Sequence, residues 1–328
     1  MSSISNYIKS LPKIDLHCHL DGSFSLDYVK RTLGLSISEE ELSKNLTAPY
    51  DCESLAQYLS RFDLPISCLQ TPSHIEEGVL DLLEQASLEQ VKYIEIRFAP
   101  SCSVNERQNY SDIYEACIEG IKKGKALYNI DSNIIVCAMR HLSPETNMAM
   151  LKSAIPYLGY GICALDLAGD EAAMGNEHFV DLFQTAKKLG MPFTIHSGEC
   201  GSSENVRIAL ELGAKRVGHG IALFRDKALM NECQKAGLGL ELCPTSNYQT
   251  KAIKPGDIYP LRAFLDANLL ATVNTDNRTV SNTTLEKELN LCVNSLNIRE
   301  EDLITIYKNS IEISFADDNI KNMLCKLI

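Results

Sequence analysis

Lys13–His19 reads KIDLHCH and runs straight into the turn LDGS at Leu20–Ser23. A doubly wound fold wants a Gly-rich phosphate turn directly after its first strand, and this turn carries a single Gly. The strand itself is one of a series. Similar short, apolar, β-branched segments stand at Tyr93–Ala99, Asn133–Arg140, Gly161–Ala168, Pro192–His196, Arg216–His219, Leu238–Cys243 and Leu270–Thr275. Between them the period changes to that of a helix. Glu76–Gln90 places Val79, Leu82, Leu83 and Ala86 on one face. Phe179–Leu189 and Glu204–Leu212 each end at a glycine, Gly190 and Gly213, placed as a helix C-cap. Eight strands alternating with helices predict an α/β protein with a parallel sheet closed into a single (β/α)8 TIM barrel. The gap from Leu20 to Tyr93 is too long for one helix. It predicts a group of inserted helices, within about residues 21–92, over one mouth of the barrel. Beyond Asn277 the chain looks helical again, Glu286–Asn294 and Glu300–Ile313 included. Residues 1–328 are expected to form one domain.

The 31 Lys+Arg against 43 Asp+Glu give a net charge of −12, and no basic run is present, so nucleic acid and anionic membrane are not expected partners. Hydrophobic residues make up 45% of the 328, enough for a large core, which excludes a disordered or fibrous chain. No apolar stretch approaches the roughly 18 residues of a membrane helix. Met1 to Leu11 lacks a basic end followed by an apolar block, so no secretory signal is expected. Twelve cysteines without a C-x-x-C pair point to a reducing cytoplasm rather than a disulfide framework.

The unusual residues fall at the ends of the expected strands. His17 and His19 end the first, His196 the fifth with Glu199 on the following turn, His219 the sixth and Asp276 the eighth. Barrel active sites are built at that rim. Residues two apart in a strand face the same way, so both imidazoles of H-C-H point together and Cys18 points away. Two adjacent imidazoles suit a borderline-soft divalent metal such as zinc. Each residue also has a plainer reading. The histidines could be separately hydrogen-bonded, Glu199 could serve a helix dipole, and Asp276 could be a turn residue. One site accounts for all of them at once. The Cys-rich zinc arrangement with H-x-E and P-C-x-x-C is absent, so a metal here would have mostly imidazole ligands.

HCHLDGS (His17–Ser23), LDLAGDE (Leu165–Glu171), HSGE (His196–Glu199), RVGHG (Arg216–Gly220), CPTSN (Cys243–Asn247) and NTDN (Asn274–Asn277) together resemble the signature segments of the adenosine deaminase family in the amidohydrolase superfamily. They come in the family's order and span nearly the whole chain. The resemblance implies one Zn2+ per chain, held by His17, His19, His196 and Asp276. It implies that Glu199 protonates purine N1 and that His219 orients the attacking water and helps deprotonate it. Gly169 would offer a backbone N–H to N3, and Asp21 and His19 would meet the sugar 5′-hydroxyl. Asn277 stands where many members carry an Asp that meets N7; its amide can donate there instead.

The activity implied is hydrolytic deamination of adenosine and 2′-deoxyadenosine to inosine or deoxyinosine and ammonia, in purine salvage, without an organic cofactor. Glu199 can donate only if held neutral, so its pKa should be raised. An ionised Asp21 accepts from a 5′-hydroxyl and repels a 5′-phosphate, so the expected partner is a small-molecule purine nucleoside. Ser54–Asp63, with Leu55, Tyr58, Leu59 and Phe62 on one helix face, reads either as a lid over that nucleoside or as ordinary packing. Arg97 and Arg140, ending strands two and three, are expected in ion pairs near the rim. The competing readings are an adenine deaminase, a two-metal hydrolase of the superfamily and a non-catalytic nucleoside-binding protein. The two-metal hydrolase would want a Lys at the end of strand four, where Leu165–Gly169 has none.

Overall fold

The computed structural model describes residues 3–49, 52, 55–200, 202–254 and 256–328. Its strands are β1 (Lys13–His19), β2 (Val91–Phe98), β3 (Asp131–Met139), β4 (Ile162–Ala168), β5 (Thr194–Ser197), β6 (Arg216–His219), β7 (Gly239–Leu242) and β8 (Leu270–Val273). All paired neighbours run parallel, β1 to β4 in one run and β5 to β8 in another. Two single bridges join the runs: Leu165 to Phe193, and Cys18 to Asp276. At the second, the Asp276 amide donates to the His17 carbonyl at 2.7 Å and the His19 amide donates to the Asp276 carbonyl at 2.6 Å. The barrel is therefore closed by the residues expected to carry chemistry.

Strands covered on both faces read as nearly continuous apolar runs, and an ionisable residue within one must face the barrel interior with a partner. In β2, Ile94, Ile96 and Phe98 join the apolar layer beneath the helices, while Glu95 and Arg97 are fully buried on the other face. In β1, Cys18 joins that outer layer and the two imidazoles point inward.

Five helices fill the interval between β1 and β2: Leu26–Thr32, Glu39–Leu46, Leu55–Leu59, Asp63–Ser67 and Pro72–Leu88. The last begins four residues before its expected start, because Thr71 caps it by accepting from the His74 amide and Pro72 suits the first turn. Of the expected lid face, Ser54 and the side chain of Leu55 lie outside the described residues. The rest is broken into two short helices instead of one continuous face. Tyr58 is buried in a small cluster with Ala48, Cys52 and Val280, and Phe62 leans on it. Tyr58, Leu59 and Phe62 also line the cavity at the C-terminal ends of the strands. At the C-terminal end, Leu285–Ser295, Glu300–Ile313 and Asp318–Cys325 are helical. No described helix is long and apolar enough to cross a membrane.

Candidate active site

A cavity of about 560 Å³ opens at the C-terminal ends of the strands, and His19, Asp21, Gly169, His196, Glu199, His219, Asp276 and Asn277 line it. His17 lies just beneath, fully buried. Donor atoms of His17, His19, His196 and Asp276 all lie within 4.8 Å of one another. His19 Nε2 is 3.3 Å from His196 Nε2. Asp276 Oδ1 is 3.4 Å from both His17 Nε2 and His19 Nε2. A tetrahedral set at the usual zinc–ligand distances of about 2.0–2.1 Å has edges of about 3.4 Å, which these three contacts match. His17 Nε2 is buried with no hydrogen-bond partner. The donors fit a zinc-sized divalent ion.

The far nitrogens of two of these imidazoles are fixed. His17 Nδ1 donates to Glu241 Oε2 at 2.7 Å, and His196 Nδ1 donates to Asp166 Oδ2 at 3.0 Å. Each bond leaves the Nε2 lone pair facing the common point. Arg97 ties the two carboxylates together, with Nη1 on Asp166 and Nη2 on Glu241, both at 2.8 Å. Glu241 also receives Arg216 and the Thr194 hydroxyl, and Arg216 reaches on to Glu95. Burial works against ionisation of Asp166 and Glu241. The facing groups, the His196 imidazole and the Arg97 charge for Asp166 and the two arginines for Glu241, nevertheless hold both well below the usual carboxylate range.

The two strand-end arginines part company here. Arg97 is in ion pairs, but deep inside the barrel under the imidazoles rather than near the rim. Arg140 makes no ion pair among the described residues. It donates to the carbonyls of Met174 at 2.6 Å and His196 at 2.7 Å, and to Asn176 Oδ1 at 2.9 Å. Turning loops leave carbonyls without ladder partners, and the guanidinium fork takes these up instead of a carboxylate.

Glu199 follows Gly198, which sits at φ +71° where a Cβ would stand 2.8 Å from Val206 Cγ2; only glycine fits. The Glu199 carboxyl accepts from Thr250 Oγ1 at 3.1 Å and lies 3.6 Å from His219 Nε2. Burial, followed by the charges of Asp276 and Glu171, pushes it up to about 8. It is the neutral carboxyl that proton donation at pH 7 requires.

His219 and Asp276 both adopt left-handed backbone, at φ 61° and 59°. Side chains rarely take that region, and such strain gathers where a group must be aimed. Burial and the nearby His17 push the His219 imidazole well below its ordinary value, so the ring is neutral. Its Nδ1 accepts from Asn247 Nδ2 at 3.0 Å, while Tyr259 donates to Asn247 Oδ1 at 2.9 Å. In this arrangement the ring proton sits on Nε2, facing the cavity. His219 can then hold a water by donation; taking its proton requires the Asn247 amide to turn over.

Asp21 is 8% exposed, and one of its carboxylate oxygens is buried without a partner. Burial pushes it up to about 7, so at neutral pH only part of the population is the ionised acceptor expected from sequence. Asn277 donates from Nδ2 to the Tyr58 hydroxyl at 2.9 Å, which leaves one amide hydrogen for a ligand. A Cβ at Gly22 would stand 1.8 Å from Asn277 Oδ1, so this amide needs a glycine opposite it. Gly169, at φ +104°, directly follows β4 at the cavity wall.

Sequence reading missed Asp166, Glu241, Asn247, Thr250 and Glu171. For the first two a signal was present: each is a lone carboxylate inside an apolar strand, in CALDLA and LGLEL. Of the other three, Glu171 is in the loop after β4, and Asn247 and Thr250 are in and at the end of the short helix Pro244–Gln249; their residue types give no hint.

An inward ring of imidazoles and a neutral carboxyl in a cavity at the C-terminal mouth of a closed parallel barrel define a hydrolase of the amidohydrolase class. The family described as adenosine deaminase matches residues 12–328. The adenosine deaminase of Clostridium perfringens is 38% identical over 322 residues, covering 96% of this chain and 97% of that protein. The adenine deaminase of Arthrobacter aurescens superposes with a TM-score of 0.88 at 22% identity, over 97% of this chain and 98% of that one. The N6-mAMP deaminase of Arabidopsis superposes with a TM-score of 0.84 at 25% identity, over 98% of each. This chain belongs to the adenosine deaminase family.

Proposed function

We propose that the protein hydrolyses adenosine and 2′-deoxyadenosine, taking up water and releasing ammonia and the corresponding inosine. His17, His19, His196 and Asp276 would hold one zinc ion per chain. When bound, zinc activates water at neutral pH as a Lewis acid.

The chain's own residues account for the rest. Addition at C6 breaks the aromaticity of the ring and drives charge onto N1. Glu199, neutral and anchored by Thr250, delivers a proton to N1, and the resulting carboxylate can take up the proton that the attacking water releases and pass it to the departing amine. His219 orients the attacking water through Nε2–H. Gly169 offers its N–H to N3 and Asn277 its remaining amide hydrogen to N7. Asp21 and His19 receive the 5′-hydroxyl, with the unpartnered Asp21 oxygen as acceptor. A 5′-phosphate would meet that carboxyl and would be disfavoured. We further read residues 1–328 as one domain, with the helices between β1 and β2 covering the mouth, acting in purine salvage in the cytoplasm.

The observation that carries this reading is the convergence of four metal-type donors beside a carboxyl held neutral. The test is zinc content together with turnover of adenosine, 2′-deoxyadenosine, adenine and AMP. Near one zinc per chain with both nucleosides preferred supports it; faster turnover of AMP or adenine than adenosine refutes the nucleoside assignment.

A further inference from the structure

The turn that carries Glu199 is gripped residue by residue. Arg140 binds the His196 carbonyl, and Asn176 Nδ2 donates to Ser197 Oγ at 2.8 Å. The next three backbone amides all donate to a single side chain. Gly198, Glu199 and Cys200 N–H meet the Glu171 carboxylate at 2.6, 2.9 and 3.0 Å. Asn205 Nδ2 adds a fourth donor at 2.8 Å. Each carboxylate oxygen receives two donors, and only an ionised carboxylate offers acceptors alone on both oxygens. Three successive N–H groups converging on one anion, with Gly198 in left-handed backbone, form a nest. Glu171 is 5% exposed, comes from the loop after β4 and stays outside the lining of the catalytic cavity. It cannot touch substrate there.

We propose that Glu171 is a positioning residue for the proton transfer: as an anion it folds the 198–200 turn around itself and so aims the Glu199 carboxyl at purine N1. The inference rests on Glu199 being the acid. Its logic is geometric. A carboxyl on a turn held at its own amide and at both neighbours has little freedom, and displacement of about 1 Å at a reacting group costs about 100-fold in rate.

The charge of Glu171 has a second effect. Glu199 is faced by Glu171 from the β4 loop, Asp276 after β8, His17 from β1 and His219 from β6, with Cys200 beside it. After burial and Asp276, Glu171 is the next cause keeping the proton on Glu199. Removing that negative charge lets Glu199 ionise at lower pH.

The experiment uses the zinc-loaded enzyme and the variants Glu171→Gln, Glu171→Asp and Glu199→Gln, with kcat and KM for adenosine measured across pH, and bound zinc. In Glu171→Gln an acceptor oxygen becomes an NH2 facing N–H donors. We expect kcat to fall by about 10–100-fold, zinc and KM to hold, and the basic limb of kcat to move to lower pH. Glu171→Asp keeps the charge on a shorter arm, so kcat falls while the limb stays. Unchanged kcat in Glu171→Gln, or an equal loss at every pH with the limb unmoved, overturns the proposal. If Glu171→Gln does not fold, unchanged kcat in Glu171→Asp overturns it. Full activity in Glu199→Gln would instead remove the acid assignment on which the proposal stands.

Discussion

Replacing Arg97 by Met keeps an unbranched apolar stem, shortens the side chain and deletes the charge that joins the two imidazole-orienting carboxylates. Three bonds are lost: to Asp166 at 2.8 Å, to Glu241 at 2.8 Å and to the Leu16 carbonyl at 2.6 Å, all among fully buried groups. Breaking a buried pair by removing one partner typically costs about 3–5 kcal/mol. Glu241 retains Arg216 and Thr194, and Asp166 retains the His196 imidazole as a donor, so the lower end, about 3 kcal/mol, is expected. The orienting carboxylates also lose their anchor, and loss of such outer partners weakens metal binding by about 10–100-fold. The pH dependence follows from the sign of the shifts. Asp166 and Glu241 are held below their ordinary values, so their contribution is full above about pH 4 and is lost as pH falls further. The gap between wild type and Arg97→Met should therefore narrow on acidification. Urea unfolding with and without zinc, at neutral and at low pH, measures the gap, and equilibrium dialysis measures the metal. A loss below about 1 kcal/mol at neutral pH, the worth of an exposed pair, would refute the reasoning.

Three further outcomes are expected. The kcat of the wild-type enzyme should fall as pH rises through about 8, where Glu199 loses the proton it must donate; a profile flat to well above that value argues against this acid. Gly22→Ala should lower kcat/KM for adenosine without releasing zinc, because its methyl would displace the Asn277 amide; unchanged kinetics would show that Asn277 has no part in binding. Asp21→Ala should lower kcat/KM for adenosine and leave the slow reaction with adenine nearly unchanged, since only the nucleoside has a 5′-hydroxyl; an equal loss for both would mark Asp21 as a turn residue only.

The barrel was legible because its strands are short apolar runs set off by glycine-ended helices, and all eight expected strands form. Boundaries moved by one to a few residues where capping decided them, as at Thr71. The residues proposed for the metal and the acid were legible because they are polar groups stranded at strand ends, and they converge at the floor and wall of one cavity. What supports them was not. The bond from Arg97 to Glu241 spans 144 positions in sequence, and no local pattern encodes it. Arg140 shows the converse, since a strand-end arginine finds carbonyls as readily as carboxylates, and only the turn of the neighbouring loop decides. The raised Asp21 likewise comes from burial that its own neighbours in sequence do not reveal.

Bound zinc and kcat measured together on Glu199→Gln test the central claim most directly, because the change is nearly isosteric and removes only the transferable proton. Zinc should remain near one per chain while kcat falls by about 10²–10⁴, the usual worth of a general acid. A variant with near-normal kcat, or one that loses its zinc, would contradict the account.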